Sequence, residues 1–151
     1  MILGLRCSNK DYTFAVMDGT KQAPRVIASG NVAFPVGFPK TSSVKWFLQE
    51  IETLLASHGI DKIAIKAFEG RTRGSLFVDR IDHEAMVFLA ASHRGSRAVF
   101  RKVKSTIAKD LGLKGRAHYL RTALDTSVIH AFDDYPEKTQ EAILAAWSEL
   151  A

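Results

Sequence analysis

The chain contains a single cysteine, Cys7, which excludes an internal disulfide framework and a multi-cysteine zinc site. It has four prolines in 151 residues, no low-complexity tract, and apolar runs of only a few residues. Crossing a bilayer takes roughly 20 consecutive apolar residues, so nothing in it reads as a membrane span. Met1-Ile2-Leu3-Gly4 lacks the basic flank and long apolar core of a secretory leader, which predicts a cytoplasmic chain with no membrane partner. Histidines are few. His58, His83, His93, His118 and His130 have none of the close spacings of a zinc site and read as surface or partly buried residues. Gly70-x-x-x-Gly74-Ser75 lacks the lysine and the spacing of a phosphate-binding P-loop.

What is present is an ordinary globular composition, 46% hydrophobic and 25% charged, at a mass of 16.7 kDa that fits one domain over residues 1–151. The net charge is +5 and unevenly spread. Residues 1–65 carry +2, residues 66–121 carry +8, and residues 122–151 carry −5. A basic middle suits phosphate contacts, since clustered Lys and Arg supply most nucleic-acid affinity. A solvated surface whose two ends attract each other would give the same arithmetic.

Along the chain, Ile2–Leu5 is a short apolar run, and Tyr12–Met17 alternates Tyr12, Phe14 and Val16 against Thr13, Ala15 and Met17. Both read as strands, joined by the turn residues Ser8-Asn9-Lys10-Asp11. Asp18-Gly19 turns the chain again toward Val26–Ala28 and Asn31–Ala33, completing a three-stranded antiparallel meander. After Pro35, Gly37 and Pro39, the oxygens of Thr41-Ser42-Ser43 suit a helix cap. The helix that follows has an apolar face of Val44, Phe47, Leu48, Ile51, Leu54 and Leu55, and Gly59 stands where a left-handed end is expected. Lys62–Phe68 reads as a central strand. A second helix follows Gly70–Ser75, with Ile81, Ala85, Phe88 and Leu89 on its inner side and Ser92 continuing that face. Arg97–Val103 reads as a strand and Ser105–Leu111 as a short helix. His118–Phe132 reads as a helix, and Glu137–Leu150 as another, with Ile143, Ala146, Trp147 and Leu150 inward. The order β-β-β-α-β-α-β-α-α predicts an α/β fold, a mixed sheet with helices on both faces.

That order is the one of the ribonuclease H-like fold, and short segments sharpen the likeness. Met1-Ile2-Leu3-Gly4-Leu5 resembles the first strand of RuvC-type Holliday junction resolvases. Lys62–Lys66 is similar to the family strand that ends in a catalytic Glu, and Val103-Lys104-Ser105-Thr106-Ile107, trailed by Gly112 and Lys114, resembles a further family segment. His83-Glu84-Ala85 resembles the helix element of a small RuvC-like branch with degenerate catalytic positions. The resemblance implies a RuvC-type mixed sheet. It also implies a carboxylate site for two divalent metals, Mg or Mn.

Here the chain departs from the family. Arg6 stands where the family has its first Asp, and Lys66 where it has its Glu, so two cations replace two metal-binding anions. Glu137 or Glu141 could match the third acid, and a displaced set of Glu69, Asp82, Glu84 and Glu141 would be needed for metal-dependent cleavage. Asp79, Asp82 and Glu84 equally read as the solvated face of a helix. Cys7, at the end of the first strand, reads as a small buried side chain, and Trp46 and Trp147 as packing groups.

Three functions stay open. The first is a catalytically degenerate domain, needing no cofactor, that binds DNA or RNA through Arg71, Arg73, Arg101, Lys102, Lys104, Lys109, Lys114 and Arg116. The second is a structural module or homodimer in which the acidic tail of one copy meets the basic middle of another. The third is a Mg- or Mn-dependent endonuclease using the displaced acids.

Overall fold

Alternation of apolar residues on the first two strands gives the sheet two buried faces. In the computed structural model, which describes residues 1–70, 74–95, 97–114 and 118–151, β1 (Ile2–Cys7), β2 (Asp11–Gly19) and β3 (Pro24–Ala33) form the expected antiparallel meander. β4 (Lys62–Lys66) pairs parallel to β1, and β5 (Ala98–Lys102) parallel to β4, for a sheet order of β3-β2-β1-β4-β5. The helices α1 (Lys40–His58) and α2 (Ser75–His93) cover one face, burying Leu3, Leu5, Val16, Ile63 and Ile65 with Phe47 and Ile51. On the other face α5 (Glu137–Trp147) covers Ile2, Ala15 and Met17 with Ala142, Ile143, Ala146 and Trp147. Between β5 and α5 lie the short helices α3 (Lys104–Asp110) and α4 (Tyr119–Thr122). No described helix is long and apolar enough to cross a membrane.

Two glycines set this geometry. Gly59 ends α1 at φ 58°, ψ 50°, the left-handed conformation that costs a residue without Cβ little. Gly4 lets α5 lie directly on β1: a Cβ there would stand 2.0 Å from the Ala142 carbonyl oxygen.

Several elements differ from the sequence reading. α1 begins on Pro39 rather than on a Thr41-Ser42-Ser43 cap, with no side chain bonding its first amides. The expected helix over 118–132 is only α4 plus 3-10 turns at Thr126–Val128 and Phe132–Asp134, because Asp125 accepts from the Ser127 amide and Ala131 takes a positive φ of 54°. α2 is rotated relative to expectation. Its buried side carries Arg80, His83, Glu84, Val87, Ala90 and Ala91, while Ile81, Ala85, Phe88, Leu89 and Ser92 face outward.

Candidate functional site

Side chains on a strand alternate faces, so even-numbered residues of β1 and β4 point toward α5. Arg6 and Lys66 therefore end adjacent parallel strands on the same face, and Lys102, paired with Lys66 in the β4–β5 register, continues the row onto β5. All three lie at the carboxyl ends of parallel strands, where open α/β sheets form their ligand crevices.

Each cation has its own carboxylate. The Arg6 Nε donates to Glu141 Oε2 at 2.9 Å and its Nη1 to the Cys7 carbonyl at 3.2 Å. Lys66, with 5% of its side chain exposed, donates to Glu69 Oε2 and to the Ala67 carbonyl at 2.6 Å. The other Glu69 oxygen accepts the Lys104 amide at 3.1 Å. Lys102, equally buried, bonds Asp110 at 2.7 Å, the Ser148 hydroxyl at 3.0 Å, and Glu149. Burying these amines is offset only because each gains such partners.

Lys66 and Glu141 line a cleft of about 740 Å³ beside α3, α4 and α5. Its floor is apolar, with Ile107, Leu120, Leu124 and Leu144, and its rim carries Lys104, His118 and Arg121 against Asp133 and Glu137. Lys104 Nζ is 3.9 Å from Glu141, and Arg121 is 3.7 Å from Glu137.

The displaced acids are not brought together. Glu69 and Glu141 serve the cleft cations, while Asp82 pairs with Lys40 at 2.7 Å on the α1–α2 side. Glu84 is 1% exposed and saturated: one oxygen accepts from Arg80 at 3.1 Å, the other from Arg101 at 2.8 Å. Arg80 also donates to the Lys66 carbonyl at 2.7 Å, tying this buried network to β4. Among the described residues no three His, Cys, Asp or Glu side chains are placed to hold a metal ion. The divalent pair implied by the fold therefore does not fit: the carboxylates nearest the strand ends already bind guanidinium or ammonium groups, and hard cations need free oxygen ligands.

Of the expected phosphate contacts, Lys109 and Lys114 are exposed and Lys104 partly so on the α3 side of the sheet. Arg101 stands at the sheet edge, 40% exposed, held by Glu84 and lying over the Phe88 ring at 4.7 Å. Lys102 is corrected: burial against Asp110, Ser148 and Glu149 leaves it no access to a phosphate. Arg71, Arg73 and Arg116 lie outside the described residues. Arg121 and His118 on the cleft rim were missed, since their segment read as a plain helix. Three of the six acids in 122–151 pair within their own chain: Glu141, Glu149 and Glu137 with Arg6, Lys102 and Arg121.

Cys7 is fully buried, and loss of hydration together with nearby Glu84 pushes its thiol up to about 12, the behaviour of a packing group rather than a nucleophile. His83 is buried too, stacked on Phe34 at a centroid distance of 4.4 Å and bonded to the Ser43 hydroxyl at 3.2 Å.

Comparison with solved structures decides the fold. RuvC of Thermus thermophilus in complex with a Holliday junction substrate superposes with a TM-score of 0.81 over 97% of this chain and 90% of that one, at 14% identity. The chain has the RuvC-type fold. A structure of Thermus thermophilus RuvC alone gives a TM-score of 0.74 at 13% identity, covering 97% and 91% of the two chains. The yeast mitochondrial Holliday junction resolvase gives 0.63 at 15% identity, covering 97% and 77%. No protein-family model and no curated protein matches the sequence. The RuvC-type sheet, with its three-stranded meander and helices on both faces, agrees with the order read from the sequence.

Proposed function

We propose that this RuvC-type domain binds nucleic acid through the basic surface beside the cleft and does not cleave it. The observation that carries the reading is the row Arg6–Lys66–Lys102 at the strand ends, each cation matched by a carboxylate, with the candidate metal ligands Glu141 and Glu69 taken by Arg6 and Lys66. Internal cations take the place of metal charge, and without a metal neither water activation nor leaving-group stabilisation is available. The groups left to contact phosphate are Lys104, Lys109, Lys114 and Arg121, joined at the sheet edge by Arg101. Arg71, Arg73 and Arg116 extend the same basic stretch in the sequence.

The test is binding and cleavage of duplex, branched and single-stranded DNA and RNA by the wild type and by K104E/K109E/K114E. The triple variant should bind more than ten-fold more weakly, whereas Lys45→Glu, exposed on α1, should bind as the wild type does. No cleavage is expected with Mg or Mn. Wild-type protein that binds none of these substrates, or metal-dependent cleavage abolished by Glu141→Gln, would overturn the proposal.

A further inference from the structure

Two lysines are buried among the described residues, Lys66 and Lys102, and they differ in what they face. The Lys102 ammonium has three acceptors for its three N–H groups, Asp110, Ser148 and Glu149, and it does not line the cleft. Lys66 does. Its ammonium meets only two acceptors among the described residues, Glu69 Oε2 and the Ala67 carbonyl at 2.6 Å, which leaves one N–H unmatched. Glu69 is itself held, its other oxygen accepting the Lys104 amide at 3.1 Å. A nucleophile beside a base that a third group orients is the arrangement of covalent catalysis, and the partner of a primary amine is a carbonyl carbon.

We propose that Lys66 attacks the aldehyde of a deoxyribose that has lost its base, within a bound strand, and breaks that strand by elimination. The proposal rests on the nucleic-acid reading above and leaves intact strands uncleaved, because in a nucleoside C1′ is tied to the base and offers no aldehyde. The cleft suits such a site. Its volume of about 740 Å³ holds a sugar phosphate, and its floor of Ile107, Leu120, Leu124 and Leu144 excludes the water that would reverse an imine. On the rim, Lys104 and Arg121 lie 3.9 and 3.7 Å from their carboxylates, beyond hydrogen-bond reach, so both can turn to the flanking phosphates. Glu69 takes a proton from the ammonium, the amine adds to C1′, and Glu69 returns the proton to the hydroxyl that leaves as water, giving an iminium. Glu69 then takes a proton from C2′, and the electron pair left behind expels the oxygen on C3′, so the downstream strand departs with a 5′-phosphate. Water hydrolyses the iminium and frees Lys66. Phosphorus is not attacked, no metal takes part, and nothing is oxidised or reduced.

The test uses a DNA duplex carrying a single abasic site, in chelator, with and without borohydride, which reduces the iminium to a stable amine. With borohydride the protein should become linked to the abasic strand; without it that strand should break on the 3′ side of the site. Peptide mapping of the wild-type adduct should place the link on Lys66, and a link on the exposed Lys109 or Lys114 instead would overturn the proposal. Lys66→Arg keeps a cation for Glu69 but has no primary amine, and it should trap and break at least about ten-fold less, as should Glu69→Gln. Lys45→Arg, exposed on α1, should act as the wild type does. A wild type that binds the intact duplex yet neither traps nor breaks the abasic one would overturn this proposal alone, whereas one that binds neither duplex removes the nucleic-acid reading with it. Trapping of free deoxyribose 5-phosphate at Lys66 more readily than the abasic strand would overturn the strand as the source of the aldehyde.

Discussion

Breaking the Arg6–Glu141 pair offers the sharpest energetic test of a cleft held together by internal cations. The two side chains are 23% and 18% exposed and meet at 2.9 Å. Opposite charges about 4 Å apart attract by about 4 kcal/mol at an effective dielectric of 20, and partial exposure brings the coupling down to about 1.5–3 kcal/mol. Glu141→Ala leaves the Arg6 guanidinium with only the Cys7 carbonyl, and should cost about 2–3 kcal/mol. Arg6→Met leaves Glu141 with Lys104 at 3.9 Å, so its cost should be smaller, about 1 kcal/mol. The double variant Arg6→Met/Glu141→Ala leaves neither charge unpaired and should cost about 1 kcal/mol, well below the sum of the two single costs. Urea unfolding followed by circular dichroism reads all four corners of this cycle, and in heat the Glu141→Ala variant should melt about 5–10 °C lower. A coupling under about 0.5 kcal/mol would mean that Arg6 is solvated and the carboxylate free for other ligands.

Three further outcomes follow from the fold. Gly4→Ala should destabilise by about 3 kcal/mol or more, measured by the same unfolding assay, because its Cβ meets the Ala142 carbonyl at 2.0 Å and backbone cannot yield cheaply. Asp11 loses hydration on folding, which by itself raises its pKa, but hydrogen bonds from Lys138, Ser8 and Asn31 outweigh this and lower it below the usual 3.8. Its contribution is therefore present above the unfolded value and lost as pH falls through the folded one. Asp11→Asn should cost about 1 kcal/mol near neutrality and little near pH 2 in a melt series; an equal cost at both pH values would refute that linkage. Cys7 should react with a thiol reagent only at the rate of opening of the fold, and labelling within seconds in native buffer would contradict its burial.

The legible parts of the fold were those where pattern and packing agree. Period-two alternation in Tyr12–Met17 and the spacing of Phe47, Ile51 and Leu55 translate directly into buried faces, and Gly59 has the left-handed conformation its position demanded. α2 was misread because it carries two stripes, and hydropathy assigns the apolar one to the core. The polar stripe is buried instead, since Glu84 is satisfied by Arg80 one turn away and by Arg101 on β5, a partner that no local window sees. Lys102 was lost for the same reason: basic neighbours suggest a surface, while its partners Ser148 and Glu149 lie at the far end of the chain. In the cleft, the charge reversal at Arg6 and Lys66 was visible from the resemblance. Glu69 and Glu141 were also visible, but as metal ligands. Glu69 reaches Lys66 from three residues away, whereas the service of Glu141 to Arg6 depends on α5 lying against Gly4, a tertiary fact.

The central claim, nucleic-acid binding without metal, is tested most directly by the salt dependence of affinity in the presence of a chelator. If Lys104, Lys109, Lys114 and Arg121 each neutralise a phosphate, log K against log salt concentration should fall with a slope of roughly −3 to −4, unchanged when Mg is added beyond its competition as a counterion. A slope near zero, or binding that appears only when Mg or Mn is supplied, would contradict the account.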